Sequence, residues 1–153
     1  MTLQAYRLTK AIFADRAFDG EGARLNGGRW NPAGIPVVYL ADSLPLAVLE
    51  TLVHLERSRV LDAFVWFEVI FADALVLGLP AEELPHDWQA NPEPASTVAI
   101  GEAWARRRAS LLLRVPSAVV PQNKLYLLNP AHPDFGSVEI TGPFPFTFDQ
   151  RLS

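Results

Sequence analysis

The chain has 153 residues, half of them hydrophobic, with a formal net charge of −4, no cysteine and three histidines. That is the length of one domain, able to bury about 68–70 % of its unfolded surface, and apolar enough to fold rather than stay disordered. The acidic balance argues against a surface that neutralises nucleic-acid phosphates, the lack of cysteine excludes disulfides and thiolate chemistry, and His54, His86 and His132 have no metal-ligand spacing, so a metal-free site is expected.

Residues 4–8 read as a first strand and 12–18 as a short helix, with no leader pattern before them. No apolar run approaches the ~18 residues of a membrane span, so a cytoplasmic location is expected. Gly27 and Gly28 then frame Arg29. Glycines there admit a positive φ or a close approach to the main chain, and the guanidinium offers a planar fork of donors suited to phosphate oxygens. It equally suits a surface carboxylate. Neither common phosphate loop is present: no G-x-G-x-x-G follows a strand and no G-K-[ST] opens a helix.

After a second turn at 31–34, the β-branched and aromatic run 36–41 predicts a strand, with Val38 and Leu40 facing away from Tyr39. Tyr39 is either a core tyrosine with a bonded hydroxyl or an aromatic platform at a cleft. Ser43 caps a following helix that tolerates Pro45 in its first turn. Leu46, Leu49 and Val53 predict its apolar stripe, widened by Leu52 and Leu55. Glu50 and His54, four residues apart, share a face beside the stripe. They form either a solvated pair or a carboxylate placed to orient a sugar hydroxyl or stabilise a developing cation.

Further on, 63–71 is an apolar strand interrupted by Glu68, and 75–79 continues the sheet. Prolines recur through 80–94, a surface excursion with a short helical turn. A helix is expected over 97–109, its basic run at 106–108 forming a solvated face. Strands at 110–114 and 118–120 flank Pro116 and Ser117, so Ser117 lies at a strand break. With no G-x-S-x-G and no histidine placed as its base, Ser117 reads as a binding residue and not a nucleophile. The chain ends in strand-like sequence over 136–148, where Phe144, Phe146 and Phe148 at period two are expected in the core. The whole is α+β, without repeats.

Tyr6 and Arg7, the block GGRWNPAGIPVVYLADSLPLAVLE and the block LLLRVPSAVVPQNKLYLLNPAHPDF together resemble the RES-domain family, named for its arginine, glutamate and serine. The resemblance covers nearly the whole chain, making 1–153 one RES domain. It implies a single mixed α+β domain similar to the ADP-ribosyltransferase fold, and the toxin of a type II toxin–antitoxin pair with NAD as substrate and not as resident cofactor. It implies that Arg29 binds the dinucleotide with help from Arg7, that Tyr39 lines the nicotinamide pocket, that Glu50 serves the nicotinamide ribose, and that Ser117 hydrogen-bonds that ribose or the amide. Water, phosphate or a protein side chain is the acceptor, giving hydrolysis, phosphorolysis or ADP-ribosylation. The implied partner is an Xre-like helix-turn-helix antitoxin that covers the cleft and carries any DNA contact; the long apolar strands are compatible with a homodimer inside such a complex. Leu125 departs from the pattern, which has asparagine there, and Asn123 lies two residues earlier. A non-catalytic nucleotide-binding module is the reading from a different class.

Overall fold

The computed structural model describes residues 1–56, 59–60 and 62–152; the other four positions of the expected 1–153 domain lie outside the described residues. The described residues form β1 (Thr2–Lys10), α1 (Glu21–Asn26), β2 (Val38–Ala41), α2 (Leu44–Leu52), β3 (Phe64–Ala72), β4 (Val76–Gly78), α3 (Ala95–Arg107), β5 (Leu112–Pro116), β6 (Lys124–Leu128) and β7 (Glu139–Phe146). The strands make one sheet in the order β4-β5-β6-β2-β1-β3-β7, parallel at β4–β5 and antiparallel elsewhere. This is the α+β class expected. Among the described residues no helix is long and apolar enough to cross a membrane.

Strand periodicity divides the core between the two faces of the sheet. Val38, Leu40, Leu112, Tyr126 and Leu128 point to one face with Val69 and Phe71. Leu113, Val115, Leu125 and Leu127 point to the other, where Tyr39 packs and where Leu46, Ala47 and Trp104 bring α2 and α3 down onto the sheet. Tyr39 therefore lies opposite Val38 and Leu40, as its position in the strand predicts.

Several expectations need correction. The predicted stripe of α2 is only partly its buried face: Leu46, at 3 % exposed, is in the core and Leu52 and Leu55 pack against it, but Leu49 is 42 % and Val53 56 % exposed. The helix seats itself through Leu46 and the small Ala47, and that rotation brings Glu50 and Thr51 to the inner side. Residues 118–120 are not a strand either. The Ser117 hydroxyl accepts the Val119 and Val120 N–H groups at 3.1 and 3.0 Å, satisfying locally the donors that a strand would pair. The ladder resumes only at β6. At the C-terminal end β7 is an edge strand paired with β3 alone, so Phe144 stays 37 % exposed, while Phe148, at 2 %, enters the core and Phe146 packs against it, partly buried. The short helix expected at 12–18 is a 3-10 helix at Ala11–Arg16.

The loop around Arg29 is docked onto α3. A Cβ added at Gly101 would fall 1.6 Å from the Trp30 carbonyl oxygen, so only glycine lets helix and loop approach this closely. Thr97, one turn earlier and fully buried, donates its hydroxyl to the Arg29 carbonyl at 2.6 Å. We predict that Gly101→Ala destabilises the fold by about 3 kcal/mol or more in chemical denaturation, since helix and loop must separate. Gly22→Ala, whose Cβ meets nothing within 4 Å, is the control and should shift stability by less than about 1 kcal/mol.

Candidate active site

The candidate site occupies a gap in the sheet. β1 pairs with β3 along nine consecutive residues, but with β2 at Tyr6–Ala41. Beyond that pair, Arg7 on β1 and Tyr39 on β2 face an opening with Glu50 and Thr51 of α2 and Leu125 of β6 around it. It widens into a cleft of about 650 Å³ whose walls include Gly28, Arg29, His54, Gln89 and Glu93.

One wall is the turn between α1 and β2. Gly27 has φ +72°, in the left-handed region, and ends α1. Gly28 makes room for its neighbours: a Cβ there would sit 2.7 Å from the Tyr39 hydroxyl and 2.8 Å from Asn31 Oδ1. The Tyr39 hydroxyl donates to Asn31 Oδ1 at 2.6 Å and accepts the Trp30 N–H at 3.0 Å. Asn31, 1 % exposed, donates its amide to the carbonyls of Ala23, Pro32 and Ile35. Burial pushes the Tyr39 hydroxyl well above the usual phenol range; Glu93 and Glu50 add to this, while the Trp30 N–H and Arg29 oppose it. Tyr39 therefore stays protonated at neutral pH, and its hydroxyl braces the turn while its ring lines the cleft.

Arg29 follows the turn. Its Nη1 donates to the main-chain carbonyls of Trp88 and Ala90 at 2.9 and 2.8 Å. The excursion at 80–94 is thus more than a surface loop: Arg29 draws it in, and its residues 89, 91 and 93 form part of the cleft wall. Arg7 is the less engaged cation. Its Nε donates to the Ala17 carbonyl at 3.2 Å, and among the described residues its terminal nitrogens have no hydrogen-bond partner. Burial pulls its guanidinium below the usual arginine range, with Asp19 partly offsetting this, but an arginine so perturbed keeps its charge.

The opposite wall is α2, which begins as expected, with the Ser43 side chain accepting the Leu46 N–H at 3.2 Å. The Ser117 hydroxyl donates to Glu50 Oε1 at 2.8 Å, across 67 positions of sequence. Ser117 is fully buried, and its oxygen also accepts the two N–H groups of the turn described above. It stands behind Glu50 and does not line the cleft, so it differs in place from the substrate contact expected of it. With the serine holding one oxygen, Glu50 presents a carboxylate to the cleft in a defined orientation. His54 lies just past the end of α2 and lines the same cleft.

Arg7, Arg29, Tyr39 and Glu50 thus meet in one cleft, with Ser117 in direct contact through Glu50. Leu125 lines the cleft as an apolar residue; Asn123 does not replace the expected amide there, because its side chain turns to Asp42 at 3.3 Å. Sequence reasoning missed Asn31, Thr97 and Gly101. Asn31 had a local signal, a polar residue held between Trp30 and Pro32 in a tight turn. Thr97 and Gly101 had none, since their partners lie about seventy residues away.

The chain is similar to several known proteins. The RES domain family model matches residues 4–149. A protein of Yersinia enterocolitica named Toxin Res is 38 % identical over 151 residues, covering 98 % of this chain and 99 % of that one. The Prs ADP-ribosylating toxin of a Sphingobium species is 35 % identical over 157 residues, covering 99 % and 98 %. A chain from the crystal structure of the M. tuberculosis MbcT–MbcA toxin–antitoxin complex has the same fold, with TM-score 0.77, 23 % identity, and coverage of 96 % of this chain and 85 % of that one. The chain belongs to the RES-domain family.

Proposed function

We infer that this chain is the toxin of a bacterial toxin–antitoxin pair and that it consumes NAD by cleaving the bond between nicotinamide and ribose. The observation that carries this reading is Glu50, fixed by Ser117 and facing a cleft that also holds two arginines and an aromatic ring. The names of the Yersinia and Sphingobium relatives support the toxin assignment.

The chemistry matches those residues. Nicotinamide is already cationic in NAD, so it leaves neutral and needs no general acid. What needs stabilising is the positive charge that develops on the ribose as the bond breaks, and a preorganised carboxylate does this without reorganising. Glu50 takes that role, accepting from the ribose 2′-hydroxyl. Arg7, with its terminal nitrogens open, and the remaining donors of Arg29 hold the diphosphate. The Tyr39 ring borders the nicotinamide, and Ser117 acts through Glu50. NAD is the substrate in this scheme, and no metal or resident cofactor is invoked.

Transfer of ADP-ribose to a protein is the second reading, favoured by the relative named as an ADP-ribosylating toxin. Both readings share the bond that breaks and differ in the acceptor. We propose a helix-turn-helix antitoxin of the Xre type as partner, acting in the cytoplasm, with DNA contact left to the partner.

Purified protein incubated with NAD, with and without phosphate or a cell lysate, should release nicotinamide; product masses assign water, phosphate or protein as acceptor. Glu50→Ala should lower nicotinamide release by about 100-fold or more while leaving the melting temperature close to that of the parent. Equal release by both proteins would sink the assignment. Ser117→Ala should reduce kcat by about tenfold with little change in KM, because the serine orients the carboxylate without lining the cleft, and should cost about 1–3 kcal/mol of stability as two turn N–H groups lose their acceptor. A change confined to KM would instead place Ser117 on the substrate. Arg7→Gln and Arg29→Gln should each weaken NAD binding about tenfold or more in calorimetric titration; an unaltered Kd removes that arginine from the diphosphate.

A further inference from the structure

A second concavity, of about 450 Å³, adjoins the cleft and shares Arg7, Asn26 and Tyr39 with it. Phe13, Arg16 and Asp19 line its far part, away from Glu50. The Arg16 guanidinium carbon lies 5.2 Å from the centroid of the Phe13 ring, so the two form a stacked, solvent-accessible platform on the 3-10 helix after β1. Phe13 is 38 % exposed; among the described residues its ring packs into neither core cluster and stays partly open to the cavity it lines.

We propose that this second concavity is the subsite for the adenosine half of the dinucleotide, with the purine stacked on the Phe13–Arg16 platform. The inference rests on the assignment of the nicotinamide ribose to Glu50, and the connectivity of the molecule does the rest. A diphosphate separates the two nucleosides. If the nicotinamide ribose lies at Glu50 and the diphosphate at Arg7, the adenosine continues on the other side of Arg7. Arg7 is the arginine common to both concavities, and its terminal nitrogens are unengaged among the described residues. A planar guanidinium over an aromatic ring is suited to stacking with a base, which every purine offers through its π-face. Asp19, whose Oδ1 accepts the Glu21 N–H at 2.9 Å, lines the same pocket and supplies a carboxylate for ribose hydroxyls.

The test compares NAD with nicotinamide mononucleotide, which has the same scissile bond and no adenosine. For the parent protein, kcat/KM should be at least tenfold higher with NAD. Phe13→Ala and Arg16→Ala should each raise KM for NAD about tenfold, the cost of one lost stacking contact, without changing kcat or the KM for the mononucleotide. Both side chains are exposed, so the fold should be retained. ADP titrated calorimetrically into the same proteins provides a readout independent of turnover, with binding to the parent weakened about tenfold in either variant. If the parent turns over neither compound yet binds ADP with that pattern, the reaction assignment fails and the subsite stands. If NAD is consumed but ADP affinity and KM for NAD are unmoved in both variants, or the mononucleotide is processed as efficiently as NAD, the subsite is overturned and the reaction stands.

Discussion

The sheet is interrupted between two adjacent strands, and the candidate site depends on that interruption. β2 is paired with β6 along its whole length and β1 with β3 along its own, yet β1 and β2 meet at Tyr6–Ala41. The turns that border this opening carry main-chain donors and acceptors outside the ladder, and each one left buried and unpaired costs about 1–3 kcal/mol. Side chains near the gap engage them. Asn31 gathers three carbonyls and the Tyr39 hydroxyl, Tyr39 takes the Trp30 N–H, and Ser117 takes two N–H groups and gives its proton to Glu50.

The same bonds set the chemistry of the cleft. In the role proposed for Glu50 a carboxylate is most effective when it does not have to move, and the bond from Ser117 holds one of its oxygens in place. Tyr39, its hydroxyl engaged on both sides, braces the turn and lends its ring to the cleft wall. Arg29 combines structure and charge. By binding the carbonyls of Trp88 and Ala90 it recruits a proline-rich excursion as a cleft wall, and its remaining donors still border the site.

Local physics made a good part of this legible from the residues alone. The Ser43 cap, Pro45 in the first turn, the left-handed glycine at 27 and the period-two alternation around Tyr39 involve neighbours a few positions apart, and each is realised. The motif resemblance brought Arg29, Tyr39 and Glu50 to notice together. Misreadings arose where a distant partner decides the outcome. Leu49 and Val53 fit an apolar stripe, but the strands beneath α2 select the Leu46–Ala47 side. Phe144 alternates like a core residue, yet its strand falls at a sheet edge. Residues 118–120 have strand-like composition, yet the Ser117 hydroxyl competes for their N–H groups.

By itself, then, the amino-acid sequence determined most of the elements and the turn chemistry, which follow from backbone preferences, and its motif resemblance singled out the candidate site side chains. Only the tertiary structure decided which of those side chains face the cleft and which support from behind. Ser117 meets Glu50 across 67 positions and Thr97 meets Arg29 across 68, contacts that no short-range pattern encodes. They exist because burying the apolar faces of the helices against one sheet brings those residues together, and the hydrogen bonds form where that packing leaves them.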